Sequence, residues 1–214
     1  MRALLLLLSF AFLFPLSACV TTKTTGYVDP AYSSGVFQIK KVVVRANGGG
    51  LEETDLAETG IVQKLSDLGV EAIRYIDIVP PTRTYSVEEA LKIVDDTGAD
   101  SLLIVSIEDV STKKSYVPPT YHAGTTHSTI NAIGNTAYVN TYSSPGYTTG
   151  GYTVSKPTMA TSSVLVDMSN GNNIWKADGY SGGNSISSYA DLLVSAGKSA
   201  ITDLQSKGLI GSND

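Results

Sequence analysis

The apolar residues in the first half of the chain follow two patterns, which together predict alternating strands and helices. Residues 36–45, 70–78 and 101–107 are short runs rich in Val, Ile and Leu, and the third is apolar enough for burial on both faces. Residues 51–68 place leucines on one side of a helix. A Ser-Val-Glu-Glu capping box opens a second helix, which is expected to end at Gly98.

The second half of the folded region predicts a hairpin followed by a helix. Strands over residues 158–168 and 173–181 flank a Ser-Asn-Gly-Asn turn, and a helix over 188–207 carries an apolar stripe that ends at Gly208. The predicted order is β-α-β-α-β, a long insertion, and then β-β-α. This order predicts a mixed α/β fold, with helices packed on a partly parallel sheet in a single domain over residues 36–210.

The amino-terminal segment has the pattern of a secretory signal peptide over residues 1–18. Arg2 gives a basic start, and an almost wholly apolar run continues to Phe14. As a helix this run is roughly 18 Å long, too short for the ~30 Å hydrocarbon core of a bilayer. Residues 19–35 are rich in Thr, Ser, Gly and Tyr without hydrophobic periodicity, and they predict a flexible tether.

Leu16-Ser17-Ala18-Cys19 resembles a bacterial lipobox. The resemblance implies cleavage before Cys19, a diacylglycerol on its sulfur and a fatty acyl chain, such as palmitate, on the new amino terminus. Two or three acyl chains anchor a protein stably, whereas one does not. The residue after the cysteine is Val20 and not an aspartate. In enterobacterial-type lipoprotein sorting this resemblance implies the outer membrane, with the domain facing the periplasm. The alternative is a cysteine buried in the core.

Three stretches of the predicted domain carry a family resemblance. They are residues 40–44, residues 97–104 with Gly-Ala-Asp before an apolar strand, and residues 165–175 with an Asp, a turn glycine and a Trp. Together they resemble the periplasmic α/β domain of curli-secretion lipoproteins and of the lipoprotein activators of penicillin-binding proteins. The amino-terminal domain of the Tol-system propeller protein is similar. The likeness covers roughly residues 36–108 and 158–208, and it implies an envelope lipoprotein.

An uncharged insertion over residues 115–155 separates the third and fourth predicted strands. It contains no Asp, Glu, Lys or Arg. Six of the twelve tyrosines of the chain lie in it: Tyr116, Tyr121, Tyr138, Tyr142, Tyr147 and Tyr152. Tyrosine offers a large contact area at low entropic cost, so these six are the candidate partner-binding residues. Three hypotheses stay open: a flexible low-complexity insertion, a binding loop for a protein, glycan or peptidoglycan surface, or an extended hairpin that enters a membrane within an oligomer.

Composition argues against several classes of function. The formal net charge is −5 and no segment is strongly basic, so a nucleic-acid partner is not expected. One cysteine allows no intrachain disulfide, and His122 and His127 have no carboxylate or thiol near them in sequence, so neither a metal nor a cofactor is predicted. The run Gly48-Gly49-Gly50 lacks the Lys-Ser/Thr of a phosphate loop and leads into an acidic helix start, which indicates a tight turn.

The sequence contains no Gly-x-Ser-x-Gly elbow, and a catalytic triad would need a histidine from the uncharged insertion. We therefore expect a non-enzymatic lipoprotein, anchored to the membrane through Cys19, that serves as a binding or assembly accessory in the envelope. Homo-oligomerisation stays open. Two alternatives are an oligomeric secretion- or pore-associated lipoprotein, and an envelope hydrolase whose active-site residues are scattered along the chain.

Overall fold

A computed structural model describes residues 20–33, 37–133 and 136–211 of the chain. The predicted signal peptide and Cys19 lie outside these residues. The described residues form two compact units: the larger comprises residues 20–112 and 156–211, and the smaller comprises Lys113–Ser155. The predicted insertion over 115–155 falls in the smaller unit.

The larger unit contains a mixed sheet. Its strands are β1 Thr21–Val28, β2 Lys41–Asn47, β3 Glu71–Arg74, β4 Ser101–Val117, β9 Tyr152–Asp167 and β10 Asn173–Gly182. The six strands are ordered β1-β10-β9-β4-β2-β3. β2 is parallel to β3 and β4, whereas β10 is antiparallel to β9 and β1. The predicted mixed α/β fold is therefore confirmed.

Helices connect and cover these strands. They are α1 Leu51–Asp67, α2 Tyr75–Ile78, α3 Val87–Asp96 and α4 Tyr189–Ser206. Reciprocal capping boxes open α3 and α4, where a serine and the acidic residue three positions later each satisfy a backbone N–H of the other. The predicted second strand, residues 70–78, is wrong in its second half, because α2 begins at Tyr75. One oxygen of the buried Glu58 carboxyl accepts the Ile76 N–H at 2.9 Å and holds this turn.

The main core lies between the sheet and the pair α1 and α4. Alternate residues of β2, Val42 and Val44, face this core, while Val43 faces α3 on the opposite side of the sheet. A Cβ atom on Gly197 of α4 would collide with the Ile61 side chain of α1, so this glycine permits the close approach of the two helices. Trp175 is buried in the same core.

The structure corrects the predicted flexible tether. Thr21–Val28 is the edge strand β1, paired with β10 along its whole length, and the residue before it, Val20, packs against the main core. The next residues are also fixed, since the Tyr32 hydroxyl donates a hydrogen bond to Asp167 Oδ2 at 2.9 Å. Exposed and less exposed residues alternate along β1, as in any strand with one covered face. Two of the less exposed residues are threonines, so the sequence lacks the alternation of apolar and polar residues that predicts a strand.

Candidate functional site

The smaller unit, named here the tyrosine arm (Lys113–Ser155), is built from paired strands. The ends of β4 and β9 lead into β5 Thr120–His122, β6 Thr126–Ile133, β7 Thr136–Ser143 and β8 Tyr147–Thr149. β5 pairs with β8 and β6 with β7, both antiparallel. The sequence left open a flexible low-complexity insertion, a binding loop and an extended hairpin. The structure shows paired strands in this segment, and its role stays a prediction.

All six tyrosines of the arm project into solvent. Their side chains are between 57% and 75% exposed, and they are Tyr116, Tyr121, Tyr138, Tyr142, Tyr147 and Tyr152. Large aromatic side chains usually supply core area, so six of them exposed on one short segment mark a surface with spare contact area. The structure places the predicted partner-binding residues together on this arm, although their binding role stays a prediction.

The hairpin of β6 and β7 has two different faces. Tyr138 lies opposite Asn131 and Tyr142 lies opposite His127, and because side chains alternate along a strand these four share one face. Ile130 lies opposite Val139 on the other face, and both of these side chains are more than half exposed. One face therefore offers aromatic rings with amide and imidazole groups, and the other offers a small apolar patch.

A stacked pair orders the part of the arm formed by β5 and β8. The His122 and Tyr147 rings lie 4.6 Å apart at an angle of 18°, and His122 Nε2 is 3.0 Å from Thr149 Oγ1. A Cβ atom on Gly146 would collide with the Tyr121 ring. His122 and His127 are both exposed, and both belong to strands.

The chemistry of the arm is that of contact and neutral hydrogen bonding. Tyrosine rings stack on apolar surfaces, including the faces of sugar rings and aliphatic side chains, while hydroxyl and amide groups exchange hydrogen bonds with a wet partner. Residues 115–155 carry no Asp, Glu, Lys or Arg, so the segment has no strong preference for a charged partner. Within the described residues, no group of three or more His, Cys, Asp and Glu side chains is placed to hold a metal ion.

Within the larger unit, the parts of β4 and β9 that continue into the tyrosine arm lie at the end of the sheet where β1 begins. Thr21 lies opposite Gly182 of β10, Gly182 lies opposite Thr158 of β9, and Thr158 Oγ1 is 2.8 Å from Ser111 Oγ of β4. Neighbouring strands are about 4.8 Å apart, so the start of β1 lies about 15 Å from β4 at Ser111. Cys19 stands two residues before Thr21 in the sequence.

A buried carboxyl group, which the sequence analysis did not single out, lies in the larger unit. Glu58 of α1 is fully buried, and its two oxygens accept the N–H groups of Ala46 at 3.1 Å and Ile76 at 2.9 Å. Burial raises the pKa of the Glu58 carboxyl, and the two backbone hydrogen bonds only partly oppose that rise. An available signal was the position of Glu58 three residues before Ile61 and seven before Leu65, on the apolar side of α1.

These observations define a mixed α/β domain that carries an exposed β arm without charged side chains from residue 115 to residue 155. No helix in the described ranges is long and apolar enough to cross a membrane. No protein-family model matches the chain, and no curated protein matches it.

Solved structures similar to the chain include two bacterial proteins. The PelC dodecamer from Paraburkholderia phytofirmans has 19% sequence identity and a TM-score of 0.47, with 86% of this chain and 98% of that chain covered. Lipoprotein GNA1162 from Neisseria meningitidis has 17% identity and a TM-score of 0.39, with 77% of this chain and 99% of that chain covered.

Proposed function

We propose that the protein is a lipoprotein of the bacterial cell envelope that acts by binding rather than by catalysis, with the tyrosine arm as its binding surface. The observation that carries this proposal is the exposure of all six arm tyrosines on paired strands of a segment without charged side chains from 115 to 155. The partner expected from this chemistry is a neutral envelope surface, either a glycan or a protein.

The position of the predicted lipid anchor supports the proposal. The lipobox-like run ends at Cys19, and the chain enters the sheet of the larger unit at Thr21, at the end where β4 and β9 continue into the arm. Acyl chains on Cys19 would therefore hold this end of the sheet close to the membrane, which we propose is the outer membrane, with the domain on its periplasmic side.

A second candidate function is that of an oligomeric, secretion-associated lipoprotein. It is favoured by the two-stranded pairings β5-β8 and β6-β7, which are separate from the large sheet and give each of these strands a single partner strand. An unpaired strand edge is a template for a strand from another chain. Arms from neighbouring copies could in this way add to one another's edges.

Photo-crosslinking in living cells tests both candidates. A photoreactive amino acid replaces Tyr142 on the arm or, as a control with a similarly exposed ring, Tyr180 on β10. The binding proposal expects an adduct with an envelope component from position 142 and none from position 180. A ladder of adducts between copies of this chain would favour the oligomer instead. Equal products from both positions, or no product from position 142, would count against the arm as the binding surface.

Anchoring is tested separately with a labelled fatty acid. The wild-type protein should incorporate labelled palmitate, and Cys19→Ser should abolish the label because this is the only cysteine in the chain. Label that persists in the variant contradicts the lipobox interpretation and leaves the arm experiment unaffected.

A further inference from the structure

A cleft in the larger unit has the features of a second binding site. It has a volume of about 340 Å³ and lies between α3, the end of β2 and the loop that follows α2. Arg45 and Arg83 line it together with Tyr75 and Tyr85. An adjoining cleft of about 270 Å³ shares Arg45 and Tyr75, so the two form one continuous surface, named here the arginine cleft.

Both guanidinium groups of the arginine cleft are available to a ligand. Neither Arg45 nor Arg83 forms an ion pair with any residue that the structure describes, whereas nearby Arg74 is held by Asp55 and Asp77. Arg45 lies over the Tyr75 ring with 4.7 Å between its guanidinium carbon and the ring centroid. This stacking orients the Arg45 side chain while leaving the edge of its guanidinium fork free to donate hydrogen bonds.

Glu58, the one carboxyl residue among those that line the two clefts, does not neutralise these arginines. Glu58 contributes to the adjoining cleft, but its two oxygens already accept the backbone N–H groups of Ala46 and Ile76. Its burial also favours the protonated form, which carries no charge. The lining therefore keeps two positive charges that no ion pair among the described residues neutralises.

Much of the lining of the arginine cleft is apolar. Val87, Ala90 and Leu91 of α3 offer accessible aliphatic surface, and Val79, Val94 and Leu102 are buried behind it. A ligand that fills the cleft therefore needs an aliphatic or aromatic group next to an anionic one. A free inorganic anion would leave the apolar surface uncovered.

We infer that the arginine cleft binds an acidic peptide segment of a protein partner. In this complex the carboxylate of an Asp or Glu side chain accepts hydrogen bonds from Arg45 and Arg83, and a neighbouring apolar side chain lies on Val87, Ala90 and Leu91. Arginine forks match carboxylate oxygens in geometry, and charge-assisted hydrogen bonds of this kind are roughly twice as strong as neutral ones. This site is additional to the tyrosine arm and takes a partner of different chemistry.

Peptide selection on the immobilised mature chain tests the inference. A phage-displayed library of random heptapeptides is enriched on the wild-type protein, and the best peptide is resynthesised for calorimetric titration. We expect enriched peptides with an Asp or Glu beside a Leu, Ile, Val or Phe. We also expect Arg45→Gln or Arg83→Gln to weaken binding about tenfold or more, as follows from losing one charged hydrogen-bond pair.

Two controls separate a specific site from general charge attraction. Lys176→Gln removes one exposed positive charge from β10, outside the arginine cleft, and should leave the affinity within about twofold. Arg45→Lys keeps the charge but loses the fork, and it should lie between the wild type and Arg45→Gln. The inference would be overturned if no peptide is selected or if the enriched peptides lack acidic residues. It would also be overturned if the wild type and the two single variants, Arg45→Gln and Arg83→Gln, bind the peptide with equal affinity.

Discussion

Glu58 links the end of β2 to α2 through a single carboxyl group. Replacement by Ala would leave the buried N–H groups of Ala46 and Ile76 without an acceptor, at about 1–3 kcal/mol for each group. We expect Glu58→Ala to lower the free energy of unfolding by about 2–5 kcal/mol in chemical denaturation. Ser66→Ala, at an exposed position of the same helix, serves as the control and should change it by no more than about 0.5 kcal/mol.

The raised pKa of Glu58 makes a second prediction, on pH. The folded state binds the Glu58 proton more tightly than the unfolded state, so this residue favours folding most at pH values below its ordinary pKa of 4.5. Its contribution falls as pH rises from that value through the raised pKa of the folded protein. Glu58→Gln cannot ionise. The difference in unfolding free energy, wild type minus Glu58→Gln, should therefore decrease over this pH interval, and a difference independent of pH would contradict the prediction.

Residues with a local structural role could be predicted from the sequence, whereas residues brought together by the fold could not. The capping box at Ser86 and Glu89 and the glycine after α3, Gly98, follow from short-range rules, and the structure confirms them. Arg45 and Arg83 are far apart along the chain. They line the same cleft only because the fold brings the end of β2 and the loop after α2 to it. No spacing in the sequence signals such a pair.

At the scale of elements, β1 shows why an ordered strand was predicted as a tether. Its inward residues are Thr22, Thr24, Gly26 and Val28, and Val28 packs against the main core. The two threonines instead contact hydroxyl groups of α4. Thr22 Oγ1 is 2.7 Å from Ser195 Oγ, and Thr24 Oγ1 donates to Ser199 Oγ at 2.8 Å. Hydrophobic periodicity detects strands that bury apolar side chains, so a strand fixed by hydroxyl contacts gives no such signal.

Gly26 offers a direct test of β1. A Cβ atom there would collide with the Trp175 indole and with Asp203, between which a 2.8 Å hydrogen bond runs from the indole N–H to the carboxylate. Gly26→Ala should lower the free energy of unfolding by about 1–3 kcal/mol, in the range of an overpacked core. Gly182→Ala on β10 meets no atom within 4 Å and should be close to neutral. Equal thermal unfolding of the two variants would mean that β1 is not packed on the sheet in solution.

The strands of the tyrosine arm escaped prediction for a different reason. A strand gives an alternating apolar and polar pattern in the sequence when one of its faces is buried. β7 is exposed on both faces, so its sequence shows no such alternation. The arm should be separable from the rest of the fold, because it forms a compact unit of its own.

Removal of the arm tests this separability. Joining Thr112 to Lys156 through a short Gly-Ser bridge is sterically reasonable because the adjacent Ser111 and Thr158 side chains are in hydrogen-bond contact. The shortened protein should still unfold in one cooperative thermal transition, with its free energy of unfolding changed by about 1 kcal/mol or less. Loss of the cooperative transition would show that the arm contributes to the core. Arm photo-crosslinks should disappear, while peptide binding by the arginine cleft should persist.

For the whole molecule, the proposed acylation of Cys19 would fix how the domain meets the membrane, because β1 begins only two residues later in the chain. Only Val20 separates Cys19 from β1, and Val20 packs against the main core. With acyl chains on Cys19, the edge of the sheet at Thr21 and Gly182 is expected to lie against the bilayer. The β9–β10 turn lies at the opposite end of the ten-residue strand β10, which places it about 30 Å further away.

Fluorescence quenching in proteoliposomes measures this orientation. In the lipidated protein that we propose, acylation consumes the native thiol. A cysteine introduced as Ser185→Cys or Asn172→Cys therefore provides the single labelling site. Position 185 follows β10 and position 172 precedes it. Nitroxide lipids should quench a fluorophore at position 185 several-fold more than one at position 172. A 20-residue Gly-Ser spacer inserted after Val20 has a root-mean-square length of about 25 Å and should abolish most of the difference. Equal quenching at the two positions without the spacer would contradict this orientation. If the end of the sheet at Thr21 lies against the bilayer, the two ends of β10 must lie at distances from the lipid that differ by about 30 Å.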